Sequence, residues 1–368
     1  MAQVVDRRSG VQSPVVVAEA EENDGISLTA EQLHSQSWRL IQNLADALPD
    51  DVVRFARQAW ATDQPGQALA AVLFSCIQLG TTLTTVEYAV LAECLFAVGD
   101  DASLLDHVTV GDVERQVLFE FVSFPESAED VAGAAEAGLD LESVVREVDR
   151  AVGAGFGVQD AAVGVWRAWR YPVTGAAWPR PTPVYLVEVR DDAAAVELAT
   201  AYYASRDGLP VSGEPIVEVY PSGTELPPLH RAVQFAGELV FAAADAPDFA
   251  FADVFDGEPD ADGLPQNITR VSPEEAERLI TYLLSGTPML VADTQGEDVL
   301  DPSRGQVVPL HLRTDGTWVW SDASVYYLRE HLIGPPPAFH AYLHTVAETA
   351  ERVSDVTLHQ AVAWLQSS

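Results

Sequence analysis

Gly153-Ala154-Gly155-Phe156-Gly157-Val158-Gln159-Asp160-Ala161-Ala162-Val163-Gly164-Val165-Trp166-Arg167-Ala168-Trp169-Arg170-Tyr171 is where the chain changes its pattern. Before this stretch apolar residues recur every three or four positions; after it they recur every second one. The switch from a helical to an extended period marks a helical region followed by strands. The glycines at 153, 155 and 157 follow a helix and precede a strand. A dinucleotide fingerprint requires the opposite order, which excludes that reading. Within the strand, Arg167, Trp169 and Tyr171 fall on one face, and Trp166 and Arg170 on the other. Large groups on both faces describe a covered strand whose arginines pair with carboxylates.

Upstream, Glu126–Val152 is acidic, alanine-rich and helical in pattern, so residues 126–160 read as a bridging helix and linker. Residues 27–125 read as an all-helical domain. Thr29 and Gln32 form a capping box, and Leu33, Leu40, Ile41, Leu44 and Leu48 make a stripe that ends before Pro49. Further helices are predicted over 50–60, 66–79 and 84–98, with Gly80 as a stop and Thr84 and Glu87 as a second box. One more is predicted over 110–122. Residues 1–26 are polar and acidic with no period, which describes a flexible tail.

Downstream, residues 161–270 read as a small α/β domain. Strands are predicted over 163–171, 184–189, 216–220 and 239–243, with a helix over 192–205. Pro227 and Pro228 break the connection after the third strand. Residues 256–270 form an acidic loop: Asp256, Glu258, Asp260 and Asp262-Gly263 resemble half a calcium loop, but Thr269 stands where the closing Glu belongs. Residues 271–368 read as a C-terminal α+β module. Ser272-Pro273-Glu274-Glu275 opens a helix that Gly286 closes, followed by a strand over 289–292, a hairpin and closing helices. The whole chain is therefore α+β: an all-helical N-terminal domain, a small α/β domain, and a C-terminal α+β module.

The hairpin carries the sharpest geometry. In Leu310-His311-Leu312-Arg313-Thr314-Asp315-Gly316-Thr317-Trp318-Val319-Trp320, a two-residue turn at Asp315-Gly316 places Arg313 opposite Trp318 and His311 opposite Trp320. Leu310, Leu312 and Val319 are expected to enter the core. His311, Arg313, Asp315, Trp318 and Trp320 are the candidate binding residues, since tryptophan beside arginine is the composition of interface hot spots. The same face is alternatively covered by the next helix, through Tyr326 and Tyr327. His340 and His344 share a helix face and are a candidate metal pair, but Ala341 replaces the glutamate of the metalloprotease pattern and no third ligand stands nearby. No cofactor is implied.

Composition narrows the function. The chain has 368 residues, 48% of them hydrophobic, and its 20 basic residues are all arginine against 56 Asp and Glu. Without lysine there is no P-loop lysine, Schiff-base lysine or lysine base. A net charge of −36 opposes nucleic acid and anionic membranes. Cys76 and Cys94 lie in apolar helical stretches and, with no secretory signal visible, point to a reducing cytoplasm.

The segment from Asp301-Pro302 through Arg313-Thr314-Asp315-Gly316-Thr317-Trp318-Val319-Trp320 to Tyr326-Tyr327-Leu328 resembles a recurrent module of actinobacterial proteins. Val356–Val362, Trp166–Tyr171 and Glu214–Pro228 are similar to the same group. The resemblance extends to immunity-type partners in polymorphic toxin systems, and it implies a protein-binding role with no catalytic residues. The expected function is thus a non-enzymatic acidic factor that binds a basic protein. An enzyme or ligand-binding protein with a pocket near the hairpin, and an assembly component using the helical domain, are the alternatives.

Overall fold

The computed structural model describes residues 28–99, 102–113, 119–127, 140–156, 161–172, 181–204, 215–257, 265 and 268–367. The N-terminal tail and most of the acidic loop lie outside them.

Local chemistry sets the first four helices. α1 (Ala30–Asn43) starts at Thr29, whose Oγ1 accepts from the Gln32 N–H while its own N–H donates to Gln32 Oε1. α2 (Asp50–Ala61) has Asp50 and Asp51 in its first turn, where the helix dipole favours acids. Pro65 opens α3 (Pro65–Leu79), and Gly80, at φ +65°, ends it in the left-handed region. The Thr84–Glu87 box begins α4 (Thr85–Ala97). Trp38, Leu44, Trp60, Leu69, Val72, Leu91 and Cys94 from these helices are buried together.

Of the helix expected over 110–122, the described residues 110–113 and 119–122 are not helical. Phe119-Glu120-Phe121-Val122 is instead β1 (Phe119–Val122), antiparallel to the far end of β2 (Ala162–Pro172). Aromatic and β-branched residues at alternate positions fit a pleated surface, and β2 supplies the partner that local sequence cannot reveal. α5 (Leu141–Phe156) is the described part of the bridging segment.

The expected strands of the central sheet are present. β3 (Thr182–Val189) pairs antiparallel with β2, and α6 (Asp192–Ala204) crosses to the parallel β4 (Ile216–Pro221). Pro228, rather than only breaking the chain, opens α7 (Pro228–Ala236), which leads to β5 (Glu238–Ala242) beside the first half of β2. The order is β1-β2-β3-β4, with β5 added on β2. Tyr185, Val187 and Val189 of β3 pack into the core of the N-terminal helices, whereas Val184 and Leu186 join Trp166, Tyr220, Val233 and Val356 on the opposite face. One core therefore runs from Trp38 to Leu229, across the boundary expected between residues 125 and 161.

The boundary expected at residue 270 is also crossed twice. β6 (Ala250–Ala252) pairs parallel with β11 (Trp318–Ser321), which lies in the C-terminal sheet of order β6-β11-β10-β7. Its other members are β7 (Thr287–Leu290) and β10 (Leu312–Thr314), while β8 (Gln295–Glu297) and β9 (Gln306–Pro309) form a separate ribbon. Pro288 on the edge strand β7 offers no N–H, which discourages further pairing. α8 (Pro273–Ser285), α9 (Asp322–His331) and α10 (Pro337–Leu343) complete the module. α11 (Asp355–Ser367) then returns to the first sheet, where Val356 enters the Trp166 core and Gln360 donates to the Ala244 carbonyl. Among the described residues no helix is long and apolar enough to cross a membrane.

Candidate functional site

The C-terminal hairpin turns one step later than its sequence predicts. Arg313 lies opposite Trp320 and Thr314 opposite Val319, and the Asp315 N–H donates to the Trp318 carbonyl at 3.4 Å. Gly316 and Thr317 are thus the turn residues, with Gly316 at φ +88° and Asp315 at an ordinary φ. The Asp315 carboxylate explains the slip. Its Oδ1 accepts from the N–H groups of Thr317 and Trp318 at 2.9 and 2.8 Å, which fixes an Asx-type turn in place of the expected one. Because opposing residues shift together, Arg313, Trp318 and Trp320 still share a face.

That face is core, and its cover differs from the expected one. Trp320 is fully buried among Tyr282, Leu283, Phe339 and Leu343, from α8 and α10. A Cβ on Gly286 would strike the Trp320 ring, so the glycine is required by this close approach. Trp318 is partly buried against Phe339 and Tyr342, with ring centroids 4.9 and 6.0 Å away. Tyr326 and Tyr327 of the following helix pack elsewhere, against His331. Of the three residues expected in the core, Val319 is buried, Leu312 is partly buried and Leu310 is exposed.

The polar candidates are already engaged. Arg313 donates through Nε to Asp322 at 2.7 Å and through Nη1 to the carbonyls of Leu284 and Gly286 at 3.0 and 3.2 Å. It thereby satisfies acceptors at the end of α8. The other oxygen of Asp315 accepts from the hydroxyls of Tyr282 and Tyr342 at 2.8 and 2.9 Å. Burial and this carboxylate both raise the two phenol pKa values. His311 Nδ1 accepts from the Ala292 N–H at 3.1 Å. The polar groups of Arg313 and Asp315 thus hold the helix end, the turn and two tyrosines, and the His311 ring contacts the backbone of Ala292. Ring-stacked arginines occur at Arg57, 5.8 Å over Trp38 and 5.6 Å over Tyr203, and at Arg170, 4.4 Å over Phe119.

His340 and His344 do gain a third neighbour. Glu275, in the first turn of α8, places Oε1 2.9 Å from His340 Nε2 and 3.2 Å from His344 Nε2. Arg278, one turn further along α8, sits 3.2 Å from His344 Nδ1 and donates to the Leu343 carbonyl at 3.1 Å.

Three further polar clusters escape sequence reading. Glu218 is paired with Arg57, and its second oxygen lies 3.3 Å from His230 Nε2, with all three side chains fully buried. Burial alone would raise the Glu218 pKa, but Arg57 and His230 hold it below the usual range. Tyr203, which donates to the Val217 carbonyl, is pushed up to about 12 by burial. Where the parallel strands β3 and β4 end, Glu188 accepts from Ser222 at 2.6 Å and Tyr220 at 3.4 Å, and Gln234 links Tyr220 to Asp355. In the C-terminal module, buried Asp298 accepts from His331 at 2.7 Å, Tyr326 at 3.0 Å and the N–H groups of Leu300 and Asp301. The one available signal was an acid inside an apolar strand, as in Val217-Glu218-Val219 and Val187-Glu188-Val189.

Comparison with protein-family models, curated proteins and solved structures gives no match.

Proposed function

We propose that the chain is a non-enzymatic acidic factor that binds a basic protein surface, in the manner of an immunity or inhibitor protein. The observation that carries this reading is the fate of the arginines. Arg57, Arg167 and Arg170 are buried against Glu218, Asp149 with Glu238, and Asp50. Arg313 is held by Asp322, Arg304 by Glu330, and Arg39 by Asp192. With 20 cations for 56 acids, most carboxylates have no arginine to pair with, although Arg150, Arg190, Arg329 and Arg352 are exposed as well. Glu93, Asp106, Glu120, Glu147, Glu197, Asp245, Asp248, Glu277, Glu348 and Glu351 are exposed. A field of one sign steers an oppositely charged partner and blocks its anion-binding groove. The resemblance to immunity-type modules supports the same role. A catalytic pocket at the hairpin is disfavoured, because it needs free functional groups, and Arg313, Asp315 and the Nδ1 of His311 are engaged.

The test is capture on the immobilised full-length chain from extract of its native host, at physiological ionic strength. A basic protein, held one to one and released by raised salt, is the expected result. Retention of nothing, or of an acidic protein insensitive to salt, would overturn the proposal.

A further inference from the structure

The cluster at Glu275, His340 and His344 is the one place among the described residues where three metal-type donors converge. We propose that it binds a divalent transition ion of the zinc type. His340 and His344 stand one turn apart at the end of α10, so both rings point to one side. The third donor comes from 65 residues earlier in the chain and is placed by the Ser272 cap, whose Oγ accepts from the Glu275 N–H at 3.2 Å. The three donor atoms lie within 4.8 Å of one another. A tetrahedral ion with bonds of about 2.0–2.1 Å sets its ligand atoms about 3.3 Å apart. The two edges from Glu275, 2.9 and 3.2 Å, would open slightly to admit it, and the wider separation within the trio, up to 4.8 Å, would have to close. The His344 side chain is 52% exposed, which leaves the fourth position to water. Two imidazoles and one carboxylate match the donor preference of zinc and exclude magnesium or calcium, which demand all-oxygen shells.

Arg278 defines what happens on binding. Its guanidinium, which can only donate, lies 3.2 Å from His344 Nδ1, so in this geometry Nδ1 serves as its acceptor. A metal bound at Nε2 requires the ring N–H at Nδ1, and Arg278 then loses its acceptor. The site is therefore opposed by its own neighbour, through both a lost hydrogen bond and like-charge repulsion.

The test is Zn²⁺ titration of the tag-free full-length protein against a chromophoric chelator, with excess Mg²⁺ to saturate surface carboxylates. One Zn²⁺ per chain is expected. His344→Ala, at an exposed position, should keep the native circular dichroism and weaken binding by more than the roughly 10- to 100-fold that loss of a supporting contact costs. Glu275→Gln should do the same. Arg278→Gln should bind several-fold more tightly, an outcome that a plain hydrogen-bonded triad does not predict. Unchanged affinity in folded His344→Ala or no binding by the parent protein would overturn the site, and weaker binding by Arg278→Gln would overturn the role given to Arg278. These outcomes are independent of whether the chain binds a basic protein.

Discussion

The sheet region and the C-terminal module solve the same problem, a large excess of acid over base, in opposite ways. In the sheet region, buried arginines meet carboxylates from far along the chain: Arg57 reaches Glu218 across 161 residues, and Arg170 reaches Asp50 across 120. In the C-terminal module, aspartates act as acceptors for nearby groups. Asp315 collects two tyrosine hydroxyls and two N–H groups, and Asp298 collects a histidine, a tyrosine and two N–H groups. A buried ion pair specifies which distant segments meet, because either charge alone is costly in the interior. An aspartate that accepts backbone N–H groups specifies a local turn.

The contrast predicts the largest loss where a distant pair is halved. Glu218→Ala leaves Arg57 buried without its counter-ion and is expected to lower stability by about 3–5 kcal/mol in urea unfolding. Replacing Arg57 and Glu218 together by apolar residues of similar volume should recover most of that loss. A double variant as unstable as the single one would show that the pair's charges do not govern the site.

Truncation of the aromatic core should come next and stay within the C-terminal module. Trp320→Ala is expected to cost about 3–5 kcal/mol, as for other fully buried aromatic residues. Trp318→Ala, at a partly buried position, should cost less. If Trp318→Ala keeps native stability but loses partner binding, the hairpin face is a contact surface after all.

Turn chemistry is the next smaller effect. Gly316→Val places a β-branched residue at φ +88° and should cost about 1–3 kcal/mol. Asp315→Asn keeps a side-chain acceptor for the Thr317 and Trp318 N–H groups but weakens the site of Tyr282 and Tyr342, so a loss of about 1–3 kcal/mol is expected. Near-UV circular dichroism of the tyrosines would report it.

These turns and helix ends are the parts that sequence made legible. The Thr29, Thr84 and Ser272 caps, the Gly80 stop and the β2–β4 strands depend on residues within a few positions of one another. What escaped depends on partners far along the chain. Phe119–Val122 becomes a strand only because β2 is there, β6 joins a sheet whose other strands lie downstream, and Glu275 meets the histidines only after α8 and α10 pack. The face of the hairpin was readable from alternation alone, but its one-step slip needed the Asp315 carboxylate. The candidate binding residues were picked by residue type, yet Arg313 and Asp315 among them hold a helix end and the hairpin turn.

The smallest expected effect is a dependence on pH at the junction of the two regions. Burial raises the Glu188 pKa, Ser222 partly offsets this, and Asp355 adds to it. The folded state then holds this proton more tightly than the unfolded one, so its contribution falls as pH rises above the ordinary glutamate range. Burial lowers the pKa of nearby His359, whose contribution is instead lost as pH falls through the ordinary histidine range. Glu188→Gln should flatten the first slope, by about 1 kcal/mol or less at neutral pH. An unchanged slope in that variant would assign the effect to another group.

The most direct test of the acidic-binder function is the association rate with the captured partner, followed by stopped flow as ionic strength is raised. Electrostatic steering requires the on-rate to fall by about ten-fold or more from low to physiological salt, while the off-rate changes far less. Equal on-rates across that range would contradict it.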